Sequence, residues 1–232
     1  MDTIVEPDAP APDPWTADRL IDVVSRLVGA VVRDDEGTPR PDSLPPIVQL
    51  GHPVLRARTP DYDGELPTPL LEDLLEVMRA TMHAAPGVGL AAPQIGLPLR
   101  IAVLEDRYTP APGGTEVRER VPLDYFAVIN PAYTARGART AAFYEGCLSF
   151  AGYQAVVERP AEITAAYTSE CGDALERRLS GWPARIFAHE TDHLDGTVYI
   201  DKAITRSLSS GDEHAARWAA PDIGAARAGL GF

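Results

Sequence analysis

Residues 189–193 read His-Glu-Thr-Asp-His, and two histidines four positions apart stand one above the other when the segment between them is helical. Both imidazoles then lie on one face, one turn apart, and a single metal ion can bind both. Glu190 follows directly on the first histidine, so its carboxylate can reach a metal-bound water without ligating the metal, as a general base must. The surrounding pattern predicts a helix from Pro183 to Asp195, stopped by Gly196. Trp182, Ile186, His189 and His193 recur along one face of that helix, which lets the first two line an apolar pocket or pack in the core.

A catalytic metal site usually has three protein ligands and keeps a further position open. Two residues compete for the third place. Glu213 lies beyond His193 at a spacing that would suit a metallopeptidase, but SSGDEHAARW around it has only a weak apolar face and reads as solvated charge. Cys147 lies in Glu145-Gly146-Cys147-Leu148-Ser149, where its thiolate would be a strong ligand for a borderline or soft divalent ion and Gly146 would allow close backbone approach. A third segment, GVGLAAPQIG (87–96), lets backbone approach a ligand at Gly87 and Gly89 and presents one polar side chain, Gln94, a candidate oxyanion donor. No lysine follows the glycines, which disfavours a phosphate cradle.

Composition narrows the partners. A net charge of −13 over 232 residues, with no basic run at either end, disfavours stable nucleic-acid binding. Two cysteines cannot build a disulfide framework, the acidic opening MDTIVEPDAPAPDPW is unlike a secretory leader, and no 18-residue apolar run exists. The expectation is a cytoplasmic protein with no membrane span. Along the chain, 1–15 read as a flexible acidic, proline-rich tail, and 16–46 as an extra helix capped by Thr16 and running to Val32, then a linker from Arg33 to Pro46. Residues 47–206 read as the catalytic domain and 207–232 as a C-terminal tail. Within the domain, Thr68 and Pro69 open a helix whose Leu71, Leu74, Leu75, Met78 and Met82 point inward. Strands are expected at 101–105, 125–130, 155–158 and 162–168, and a polar loop or hairpin between Thr109 and Arg120. Helices and strands alternate without a βαβ rhythm.

The three segments GVGLAAPQIG, EGCLS and HETDHLDG, in that order, closely resemble the signature motifs of the peptide deformylases. The resemblance spans roughly Ile47 to Ile204 and implies an α+β fold, with mixed, largely antiparallel sheets around a central metal-binding helix and, here, an extra N-terminal helix. It implies hydrolytic removal of the N-formyl group from N-formylmethionyl nascent peptides, with Cys147, His189 and His193 as metal ligands and Glu190 as acid/base. Gln94 and the Leu148 N–H would stabilise the oxyanion. Val88, Gly89 and Gly146 would hold the peptide, and Trp182 and Ile186 would line the methionine pocket with Val88. Glu145 is expected to pair with Arg185 as a brace on the thiolate loop. The resemblance points to Fe²⁺, and the same donor set suits Zn²⁺, Ni²⁺ or Co²⁺. Two positions depart from the family pattern: Ala188 precedes His189 where glutamine is common, and Gln154 stands near where many members carry arginine. The C-terminal segment lacks the basic helix by which some members dock on the ribosome, and the N-terminal helix is expected on the outside of the domain or at a homodimer interface.

Overall fold

The structure, a computed structural model, describes residues 15–109 and 117–232. The expected acidic tail, apart from Trp15, and the middle of the polar insertion lie outside the described residues. Thr16 caps α1 (Ala17–Gly29), its Oγ1 accepting from the Arg19 N–H at 3.3 Å. The helix ends three residues earlier than the periodicity predicts, so Val31 and Val32 leave the apolar face and Val32 is exposed. Its buried Leu20 and Val24 join the core against α2 (Thr68–Ala84), so its apolar face is covered by the chain's own domain. In α2 all five predicted inward residues are buried, although Pro67 occupies the N-cap and Thr68 makes no capping hydrogen bond. The 33–46 stretch is not a loose linker. Arg33 pairs across a bridge with Pro39 and reaches Glu76 of α2 at 2.7 Å.

Two antiparallel sheets complete the frame. The larger has the order β1 (Gly89–Ala91), β2 (Ile101–Asp106), β3 (Leu123–Ala135), β6 (Glu162–Thr168), β7 (Ala174–Ser180). The smaller joins β4 (Thr140–Cys147), β5 (Phe150–Pro160) and β8 (Ser209–Ser210). Strand β6 matches its predicted bounds, whereas β4 and β7 are strands the sequence did not announce. Their TAAFYEGC and ALERRLS are rich in Ala, Glu and Arg, which have low strand propensity, and pairing with β5 and β6 overrides it. Helix α3 (Gly181–Leu194) contacts strands of both sheets and is buried along most of its length. Residues 207–232 are not a tail: α4 (Gly211–Glu213) runs into a turn over His214–Trp218, and α5 (Gly224–Leu230) follows. Trp218, Ile223, Ala226 and Phe232 pack with Tyr144 of β4 and Val156 of β5. Among the described residues no helix is long and apolar enough to cross a membrane.

Candidate metal centre

Helix α3 carries His189 and His193 with ring centroids 5.0 Å apart, the consequence of one helical turn between them. Cys147 comes from the end of β4, where the β4–β5 register breaks: Gly146 still faces Gln154, but Cys147 faces Phe150. A break of this kind re-aims a side chain, and the Cys147 Sγ stands 3.2 Å from His193 Nε2. One potential ligand atom from each of the three lies within 4.8 Å of the others. Tetrahedral ligation at ordinary metal–sulfur and metal–nitrogen lengths separates sulfur from nitrogen by about 3.6 Å, so the donor set fits one small divalent ion with little rearrangement.

The ring of His189 is oriented from behind. Its Nδ1 lies 2.9 Å from Glu145 Oε2, which leaves Nε2 to face the other two donors. Burial lowers the affinity of both histidines for a proton, yet hydrogen bonds donated to Cys147 and Glu145 hold His189 well above its ordinary pKa. Burial and the charge of His189 together hold His193 well below its own. Glu145 is buried, and burial alone would raise its pKa. The charge of Arg159 and hydrogen bonds from His189 and Arg159 outweigh that and keep it ionised well below the usual carboxylate range. Arg185 donates to the same carboxylate, as the sequence suggested, and also to the carbonyls of Val157 and Ala141.

Glu190 lies on the wall of a cavity of about 820 Å³ that also reaches Cys147 and His189. Burial pushes its pKa up to about 7, and a cation alongside would act in the opposite direction. Its Oε2 is buried and has no hydrogen-bond partner among the described residues. Gly89 is obligatory for this placement, because a β-carbon there would collide with the Glu190 carboxyl. Gln94, also buried, accepts from the Ala91 N–H at 2.8 Å and turns its amide NH₂ toward Ser149 Oγ at 3.3 Å and Cys147 Sγ at 3.7 Å. Leu148, Val88 and Gly146 line the cavity, as do Trp182 and Ile186, which both also pack with the hydrophobic core. A β-carbon at Gly146 would meet nothing in the chain nearer than Gln154 Cγ at 3.6 Å, and the residue lines the cavity. Glu213 is exposed and paired with Arg217 at 2.6 Å, outside the metal-capable group, which removes the metallopeptidase alternative.

Two buried residues beside the centre escaped the sequence reading. Arg159 of β5 donates to both oxygens of Glu145, at 2.6 and 3.0 Å, and to Asp192 of α3 at 2.8 Å. Asp192 in turn accepts from Lys202 at 2.6 Å and from the Tyr133 hydroxyl at 3.1 Å. The available clue was strand phase. Arg159 shares the face of Ala155 and Val157, and an arginine on a buried face demands carboxylate partners.

Residues 44–208 match the sequence model of the polypeptide deformylase family. The chain is 49% identical over 231 residues to peptide deformylase 3 of Streptomyces avermitilis, covering 98% of this chain and 97% of that protein. It is 52% identical over 190 residues to peptide deformylase 1 of Streptomyces coelicolor, covering 81% of this chain and 86% of that one. Among solved structures, the Met-Ala-Ser-bound class I type b peptide deformylase of Acinetobacter baumannii superposes with a TM-score of 0.62 at 29% identity, covering 68% of this chain and 98% of its own. The alignment with the S. avermitilis protein includes the N-terminal helix, which lies before the segment the family model spans. On fold and on sequence, the chain belongs to the polypeptide deformylase family, metal-dependent hydrolases that remove the N-formyl group from newly made polypeptides.

Proposed function

We propose that Cys147, His189 and His193 hold one Fe²⁺ ion and that Glu190 is the acid/base of deformylation. The observation that carries the reading is the convergence of one thiol and two imidazoles within 4.8 Å, on a cavity wall shared with Glu190. A divalent ion bound there supplies a Lewis acid for the formyl oxygen and lowers the pKa of water toward neutrality. Glu190, on the cavity wall beside Cys147 and His189, is placed for both halves of the proton transfer: it takes a proton from water and returns it to the departing amine. The water oxygen adds to the formyl carbon, the carbon–nitrogen bond breaks, and formate and a free amino terminus result. Gln94 needs only to turn its NH₂ from Ser149 and Cys147 to donate to the oxyanion, with the Leu148 N–H as the second donor. Backbone groups of Val88, Gly89 and Gly146 would hold the peptide extended, with the methionine side chain against Val88, Trp182 and Ile186. The A. baumannii relative was crystallised with Met-Ala-Ser, the peptide that deformylation of its formylated form leaves.

The test is formate release from formyl-Met-Ala-Ser by protein prepared without oxygen, with bound metal quantified and Glu190→Ala alongside. Turnover in the parent and its loss in a variant that still holds metal is the expected result. No formate from fully metallated parent protein overturns the assignment.

A further inference from the structure

The three donors come from two elements that share no backbone hydrogen bonds: Cys147 from the β4–β5 hairpin and the histidines from α3. From the α3 side Arg185 and His189 reach Glu145 across the gap, and from the hairpin side Arg159 crosses it to α3. Arg159 grips Glu145, two residues before Cys147, through Nε at 2.6 Å and Nη2 at 3.0 Å, and grips Asp192, one residue before His193, through Nη1 at 2.8 Å. Asp192 cannot follow a displaced arginine, because Lys202 at 2.6 Å and Tyr133 at 3.1 Å hold its other oxygen. Arg159, Glu145 and Asp192 are all buried. Buried ion pairs of this kind are a weak source of stability, since desolvation offsets most of the attraction, whereas a planar guanidinium fixes the spacing and orientation of its partners.

We infer that Arg159 and Asp192 are positioning residues that set the separation of Cys147 from His189 and His193 before metal binds. The inference rests on the ligand assignment proposed above. Lysine at 159 keeps the charge but cannot bond both carboxylates of Glu145 and Asp192 from one plane, and asparagine in place of Asp192 keeps the shape of aspartate while losing its charge.

The experiment titrates metal-free full-length protein with Co²⁺, reading the thiolate-to-cobalt absorption band and the affinity by competition with a chelator. It compares the parent with Arg159→Lys, the isosteric Asp192→Asn, and Cys147→Ala. The expected result is a loss of roughly 10–100-fold in Co²⁺ affinity for both positioning variants, with an altered band. For formyl-Met-Ala-Ser, kcat should fall while KM moves less than about threefold, because neither residue meets the peptide. If both variants keep the parent's affinity and band and lose only thermal stability, Arg159 and Asp192 are merely structural and the inference is overturned. If the parent binds Co²⁺ no better than Cys147→Ala, the ligand assignment itself fails, and this inference with it.

Discussion

Replacing Gly89 with alanine tests how tightly the carboxylate of Glu190, the proposed acid/base, is held. The added β-carbon would stand 2.6 Å from Glu190 Cδ and 2.7 Å from its Cγ, where carbon atoms in contact prefer about 3.5–4.0 Å, so one of the two must give by roughly 1 Å. Gly89 is fixed by pairing with Leu104 in a fully buried strand, which makes the Glu190 side chain the group that moves. A displacement of about 1 Å in a catalytic group costs on the order of 10²-fold in rate, equivalent to about 2.7 kcal/mol of transition-state stabilisation. The cost to folding is smaller, because overpacking of about 1–3 kcal/mol is partly offset by the entropy that alanine removes from the unfolded chain. Gly89→Ala should therefore lower kcat about 100-fold in the formate assay, with metal content unchanged and Tm shifted by a few degrees. A kcat within threefold of the parent would refute the claim that this glycine places the carboxylate.

Cys147→Ala should abolish metal retention through gel filtration while Glu213→Ala leaves it intact, and metal analysis of the two proteins separates the alternatives. The Fe²⁺ form should lose activity in air while a Ni²⁺-substituted form keeps it, because ferrous iron beside a thiolate is oxidisable. Equal lifetimes would count against an iron enzyme. Glu105 of β2 accepts from Arg79 at 2.7 and 2.9 Å and pairs with His83 of α2 at 2.7 Å and Arg107 at 2.9 Å. The Arg79 hydrogen bonds, with smaller help from Arg107 and His83, bring its pKa down to about 2. A carboxylate depressed in the folded state contributes stability above its unfolded pKa of about 4.5, and that contribution disappears as pH falls toward 2. Glu105→Gln should accordingly lower Tm at pH 7, and the gap from the parent should close between about pH 4.5 and pH 2. A constant gap across that range would show that the pair does not couple α2 to β2 through charge.

What could be read from the sequence divides along physical lines. His189, Glu190 and His193 lie within one helix, so their geometry follows from the helical period, and α2 was equally legible because five of its apolar residues repeat on one face. Cys147 and Gln94 meet the histidines only through tertiary folding, and residue chemistry alone left the third ligand open between Cys147 and Glu213. The ordered motifs favoured Cys147, and the register break at the end of β4 is the device that delivers its thiol. Strands β4 and β7 were illegible because their residues are poor strand formers that pair for reasons located in other strands. The C-terminal segment looked like a tail because its apolar residues are sparse. Trp218, Ile223 and Phe232 nevertheless suffice to seat it on β4 and β5.

The charges beneath the candidate metal centre run against the character of the chain. A protein with a net charge of −13 places Arg159 and Arg185 in its interior, with Lys202 at the edge, around only two carboxylates, Glu145 and Asp192. Hydrophobic residues would fill that volume at no loss of stability, and in comparable cases at a gain. They would not, however, hold a carboxylate against His189 Nδ1, and an imidazole free to rotate presents its Nε2 to the other two donors only part of the time. An ion-pair chain that adds little to stability but leaves one permitted orientation for a ligand is best understood as a device for geometry. The same logic accounts for glycine at 89 and a register break at Cys147. Each weakens the local strand, and each puts one reactive atom where the cavity requires it.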